Sequence, residues 1–308
     1  MNIVKLGSVH YDAWNEFCQE NTWFWHTTHW LKYLQNSKFG VEFKDHSFFM
    51  ENNKEIASIV PLIQEGNELF SPGFVDDKDI LAEVKRIALE NGIKRIQVNA
   101  DIREYLNISG YTCILDLENI NSTKGHKSAI KKAERHLDYI APLHTQYFKH
   151  DYFDIAGKVT RPHETFEILG QWISQGFGTL LEARTKSNTA GYVYILHWAD
   201  RAYYFMSAVF PEYKEFNVTH YLLWQSFDIL RQKGVRWLEM GEQVFNSPHC
   251  QPGEKECNIS KFKRGFGGQV VVSPASEFFF DKECFKKTYE ERVKKYYENT
   301  AIFPEARS

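Results

Sequence analysis

Lys261-Phe262-Lys263-Arg264-Gly265-Phe266-Gly267-Gly268, running straight into Gln269-Val270-Val271-Val272, is the stretch from which the fold is read. Three cations and three glycines surround two phenylalanines, just ahead of an expected strand at 269–273. Glycine lacks a Cβ, so its backbone lets a negatively charged ligand approach closely. Lysine and arginine add donors and charge suited to phosphate or to a developing oxyanion. The two rings can seat the segment in a core.

Around this stretch the composition narrows the classes. The 308 residues suffice for two domains and a large core. With 43% hydrophobic and 25% charged residues, the chain has the make-up of a globular protein. Aromatics reach 16%, which favours thick sheets and ring-lined clefts. A net charge of −3 argues against a general nucleic-acid coat, so no DNA partner is expected and any polyanion must meet a local patch. No apolar run approaches the length of a membrane span. The N-terminus lacks the hydrophobic core of a signal peptide. Five scattered cysteines read as reduced thiols, and the expected location is cytoplasmic.

The two halves repeat one order of elements. The first reads as helix 28–36, strands 43–50, 55–63 and 68–70, helix 79–91 closed by Gly92, then strands 94–99 and 111–117. The second reads as helix 164–174, strands 179–184, 190–198 and 202–210, helix 219–233 closed by Gly234, then strands 235–240 and 269–273. Asn91-Gly92-Ile93-Lys94-Arg95-Ile96 lies opposite Lys233-Gly234-Val235-Arg236-Trp237-Leu238. The expected fold class is therefore α/β (α+β): two tandem units, each a mixed sheet flanked by helices. A single α+β domain with chance similarity is the alternative. A basic connector helix at 124–137 sets Lys124, Lys127 and Lys131 on one face. A charged, tyrosine-rich helix at 281–299 follows later.

Phe262-Lys263…Phe266-Gly267-Gly268 resembles the FK-x-x-FGG signature near the C-terminus of the Fem-type (FemAB-like) branch of the GNAT N-acyltransferases. Leu115-Asp116-Leu117, followed by Lys127-Ser128-Ala129-Ile130-Lys131-Lys132-Ala133, resembles that family's D-L strand end and its basic helix of the form R/K-x-x-I-x-K-A. Weaker matches at His26-Thr27-Thr28-His29-Trp30-Leu31 and around Lys233-Gly234-Val235 extend the likeness from about residue 26 to 273. The resemblance implies a twin GNAT fold, with GNAT-like units at 1–140 and 141–308 and a cleft between them. It also implies transfer of an acyl or aminoacyl group from a thioester or a tRNA to an amine. Two features depart from the pattern. The chain lacks the long helical-hairpin arm of some peptidoglycan branch-forming members. The stretch 210–219 contains no glycine, where single-domain acetyltransferases carry Q/R-x-x-G-x-G/A for the pyrophosphate of coenzyme A.

Candidate site residues follow from the chemistry of amide formation. Lys263 matches the family's lysine at the reacting centre and would stabilise the oxyanion; a solvated surface charge is the plain alternative. A neutral amine must attack, so a general base is needed. Glu239, with Glu242 close by, sits at the end of a strand facing the ligand crevice, and His220 stands in a helix's first turn. Trp30 and Tyr204 are candidates for the acyl or sugar pocket, Lys127 and Lys131 for phosphate, and Glu242 and Arg264 for further substrate contacts. The loop 246–258 holds Pro248, Pro252 and Gly253 and is read as a lid. His249, Cys250 and Cys257 fit no zinc spacing, and no metal is expected. The lack of G-x-S-x-G, Walker A and G-x-G-x-x-G elements disfavours hydrolase, NTPase and Rossmann readings.

The expected activity is N-acyl transfer with no permanently bound cofactor, the co-substrate being an acyl-CoA or acyl-carrier-protein thioester. The acceptor is the amine of a small or nucleotide- or lipid-linked precursor, first of all an amino sugar of cell-envelope polysaccharide synthesis. Aminoacyl-tRNA as donor, and non-catalytic binding of a glycan or nucleotide sugar, are the alternatives. Acyl-carrier protein is the macromolecular partner expected first and tRNA second.

Overall fold

The computed structural model describes residues 2–141, 145–186, 188–245 and 252–299. Its strands form three sheets. The largest has seven strands in the order Asp138–Ile140, Gly178–Arg184, Thr189–Trp198, Arg201–Val209, Trp237–Gln243, Gly110–Asp116 and Gln269–Ser273. A six-stranded sheet runs Phe43–Asp45, Ile63–Glu65, Glu68–Ser71, Arg95–Val98, Ser276–Phe279 and Leu106–Asn107. A three-stranded sheet joins Asn2–Lys5, Phe48–Asn52 and Glu55–Val60.

The expected single strands at 43–50 and 55–63 are each broken in two. Pro61 brings no N–H to a ladder, and the Leu62 N–H is taken instead by the Ser47 hydroxyl at 2.9 Å. The break turns the first half's meander into two small sheets. Both mixed sheets also exchange a strand across the 140/141 division. Gly110–Asp116 lies between two strands of the second half. Ser276–Phe279 pairs with Arg95–Val98 and Leu106–Asn107 of the first.

Helices cover the sheets in keeping with their apolar stripes. Ile80, Val84 and Ile87 of the helix Lys78–Glu90 pack with Leu69, Ile96 and Val98. Leu222, Phe227 and Leu230 of Val218–Gln232, with Ile130 and Ala133 of Lys124–Ala133, fill one face of the seven-stranded sheet. The opposite face meets Trp14, Phe24, Leu169 and Trp172 in an aromatic core. Helices Tyr11–Asn21, Gln146–Ala156 and Glu254–Arg264 were not read from the sequence. The last occupies part of the expected lid, because the Gly253 N–H is capped by the Glu256 carboxylate at 2.7 Å. Positions 246–251 of that expected lid, with His249 and Cys250, lie outside the described residues.

Candidate active site

Arg201–Val209 and Trp237–Gln243 run parallel, linked by the crossover helix Val218–Gln232. They pair only at Arg201 with Trp237, Ala202 with Leu238, and Tyr203 with Glu239. Past that point each strand is bulged. Against Thr189–Trp198 the register shifts beside Phe205, and against Gly110–Asp116 it shifts beside Met240. A bulge adds one residue and bends its strand. Two bulges on adjacent strands accompany a parting of the pair, and a gap opens beyond Tyr203 and Glu239.

Lys263, in the last turn of Glu254–Arg264, reaches into this gap. Its Nζ donates to the Glu242 carbonyl at 3.3 Å. Gly241 lies opposite with a φ of +81°, and a Cβ there would stand 2.8 Å from the Tyr203 hydroxyl and 3.2 Å from Lys263 Nζ. The amine and the phenol therefore crowd one bare stretch of backbone. Glu239 accepts a bond from the Thr112 hydroxyl at 2.7 Å. Burial raises the pKa of Glu239, while the Thr112 bond and the cations Arg201 and Lys263 restrain the rise. Burial lowers that of Lys263, against the pull of Glu242, Cys113 and Glu239. Tyr203 is pushed up to about 12, first by burial and then by Glu239 and Glu242.

The Cβ direction of each motif glycine is filled by protein, while Gly267 itself is exposed and lines a cavity beside Gln269. A Cβ on Gly265 would fall 1.9 Å from His126 Cε1, one on Gly267 2.4 Å from the Asn121 carbonyl oxygen, and one on Gly268 2.5 Å from Cys113 Sγ. These close approaches lock the turn after Lys263 against the strand Gly110–Asp116 and the start of the helix Lys124–Ala133.

A cavity lies on each side of the gap. On the aromatic side a space of about 580 Å³ is lined by Trp25, Trp30, Tyr203, Phe205, Glu239 and Glu242, with Phe70, Pro72 and Asn99 of the first half forming its far wall. On the helical side a space of about 380 Å³ is lined by Tyr204, Ser207, Lys214, Asn217, Thr219, His220 and Phe262. The first intrahelical bond there is Tyr221 N–H to the Asn217 carbonyl, so the preceding N–H groups have no partner within the helix. Asn217 adopts the left-handed conformation, φ +56°, in the loop that has no glycine. His220 and His126 lie 4.6 Å apart, centroid to centroid. Burial, helped by His126, holds His220 near pKa 4 and hence neutral.

Residues 125–249 match the profile of the acetyltransferase (GNAT) domain family. That stretch is a GNAT-type acyltransferase domain. The chain's whole length has the tandem GNAT fold. FemX superposes with a TM-score of 0.69 at 12% identity, over 94% of this chain and 100% of that one. The C-terminal domain of a putative lysylphosphatidylglycerol synthetase from Agrobacterium fabrum gives 0.64 at 10% identity, over 93% and 96%. A tandem GNAT protein from the clavulanic acid biosynthesis pathway gives 0.56 at 9%, over 90% and 98%. No curated protein matches the chain.

Within the GNAT fold, the sequence candidates fall into three groups. Glu239, Glu242 and Trp30 line the aromatic cavity, and Lys263, which lines neither cavity, joins them through its bond to the Glu242 carbonyl. His220 and Tyr204 line the helical cavity, where the Tyr204 hydroxyl bonds Ser207 Oγ at 2.5 Å. Lys127 and Lys131 are exposed on the outer face of their helix and line neither cavity. Arg264 also lines neither. It donates to Gln243 Oε1 at 2.8 Å and lies 5.4 Å over the Phe245 ring, pinning the strand end beside the motif. Sequence reasoning weighed Tyr203 against Tyr204 for the cleft and chose Tyr204, and it missed Phe205, Trp25 and Thr112. Strand alternation puts Tyr203 on the same face as Glu239, a signal that was present. Among the described residues, no cluster of three histidine, cysteine or acidic residues could hold a metal, and no helix is long and apolar enough to cross a membrane.

Proposed function

We propose that the chain transfers an acyl group from a thioester donor to the amine of an amino sugar. The observation that carries this reading is the parting of two parallel strands after Tyr203 and Glu239, with one cavity reaching Glu239 and Glu242, another reaching Tyr204, and the Lys263 ammonium bonded to the Glu242 carbonyl. The helical cavity suits the donor. Free N–H groups at a helix start, with Lys214 beside them, favour the phosphate of a pantetheine arm, whether borne by coenzyme A or by a carrier protein. The aromatic cavity suits the acceptor. Its walls are indole and phenyl rings and its charges are the carboxylates Glu239 and Glu242. That combination attracts an ammonium-bearing ring and repels a diphosphate, which favours a free or glycan-borne amino sugar over a nucleotide-linked one.

In this scheme Glu239, with its raised pKa, takes a proton from the ammonium. The freed amine attacks the thioester carbonyl, and a C–N bond forms as the carbonyl opens to an oxyanion. Lys263 and the Tyr203 hydroxyl stabilise that oxyanion. Glu239 passes the first proton to solvent, the nitrogen gives up a second after attack, and collapse breaks the C–S bond with that second proton ending on the departing sulfur.

The test is thiol release from acetyl-CoA, a longer acyl-CoA and an acylated carrier protein, with and without glucosamine. Amine-dependent release from at least one donor is expected; release that ignores the amine, or none from any donor, overturns the reading. The likeness to a lysylphosphatidylglycerol synthetase domain favours an aminoacyl donor as the second reading. Ribonuclease-sensitive transfer in extract is the result that would replace the thioester by it.

A further inference from the structure

The aromatic cavity has a neighbour that transfer to a single sugar does not need. On the same face of the seven-stranded sheet, a compartment of about 510 Å³ is lined by Trp23, Asp116, Asn119, Arg201, Trp237 and Gln269. It shares Trp23 and Glu239 with the aromatic cavity. Glu239 thus stands between two compartments rather than at the end of one.

The chemistry of the lining selects the ligand. Its charged side chains are Asp116, Glu239 and Arg201, a net of about −1. Asp116 is already engaged, by Asn119 Nδ2 at 2.9 Å and by Arg236 at 3.7 Å. One exposed guanidinium against two carboxylates is a poor seat for phosphates. What remains is two indoles, Trp237 carrying the Arg236 guanidinium 4.7 Å from its ring centroid, beside the Gln269 carboxamide and the Oδ1 of Asn119, whose Nδ2 is given to Asp116. Flat apolar rings with planar hydrogen-bonding groups at their edges suit a neutral sugar, whose C–H face stacks while its hydroxyls bond. We propose that this compartment is a saccharide subsite, and that the acceptor is an oligosaccharide whose reactive amine sits on an internal residue. The inference rests on the amino-sugar reading of the aromatic cavity.

Calorimetric titration of the full chain with glucosamine and its β-1,4-linked dimer and tetramer tests it. The affinity should rise about tenfold or more from monomer to tetramer. Trp237→Ala and Gln269→Ala should each lose most of that rise while binding the monomer as the native chain does. Gln269 is an exposed side chain at a sheet edge, so the second variant keeps the test open if the first fails to fold. Monomer binding with no gain on lengthening overturns the subsite and leaves the amino-sugar reading intact. A gain that survives in a folded variant also overturns it. Failure of monomer and oligomers alike to bind overturns both.

Discussion

The molecule contains two strand–helix–strand crossovers built alike and used differently. In the first half, Glu68–Ser71 pairs with Arg95–Val98 at every residue, without a register shift. In the second, the matching pair parts after three residues. The closed pair presents Phe70 as a wall, continued past its strand ends by Pro72 and Asn99. The open pair admits Lys263. One extra residue on each strand, at Phe205 and Met240, separates the closed copy from the open one.

The comparison breaks most sharply at Lys263. Lys263→Ala should lower kcat by roughly 10²–10³-fold, the usual effect of removing one oxyanion donor, with circular dichroism unchanged. Asn99→Ala, at the tip of the closed pair, should instead raise KM with kcat held.

Two glycines sharpen the contrast next. Gly92 and Gly241 both have positive φ, but a Cβ on Gly92 meets nothing within 4 Å. Alanine at either site should cost about 1 kcal/mol of stability, read by thermal unfolding. Only Gly241→Ala should also lose turnover, because its methyl group displaces the Tyr203 hydroxyl and the Lys263 amine.

Protonation gives a smaller effect with a definite sign. Glu239 must be ionised to accept a proton, and its pKa is raised, so the rate should climb with pH through a value above the usual carboxylate range. Lys263 must be charged, and its pKa is lowered, so the rate should fall again at a pH below that of a free lysine. Both limbs of the kcat/KM profile move inward, and Glu239→Gln should remove the acid limb. The smallest effect is expected at Lys127 and Lys131. Alanine at either exposed site should change turnover on acyl-CoA by no more than about twofold. A much larger loss confined to a carrier-protein donor would instead give the basic helix a docking role.

Local patterns carried much of this architecture. The helix 164–174 and the strand 269–273 coincide with the observed elements, and both crossovers stand where Gly92 and Gly234 close their helices. The strand exchange was not legible, because pairing between Gln97 and Glu277 leaves no periodic trace in either segment. The site was legible in part. Lys263, Glu239 and Trp30 came from motif and strand-end logic. The division of labour between Tyr203 and Tyr204 needed the strand gap, which places them in different cavities. The motif's glycines suggested ligand approach; their Cβ directions meet His126, Asn121 and Cys113, and Gly267 alone of the three lines one of the cavities described.

The strand exchange also bears on how the protein is made. Arg95 meets its partner Glu277 across 182 positions, and this buried carboxylate is held ionised by Arg292 and Arg95 against its desolvation. A ribosome releasing the chain from its N-terminus cannot complete the first unit's sheet until nearly all of the second has emerged. Arg95–Val98 must wait with one edge unpaired, while Gly110–Asp116 waits for both its neighbours. Such edges invite wrong pairing. Acquisition of native structure should therefore be late and concerted, and a half released alone should be a substrate for chaperones rather than a domain.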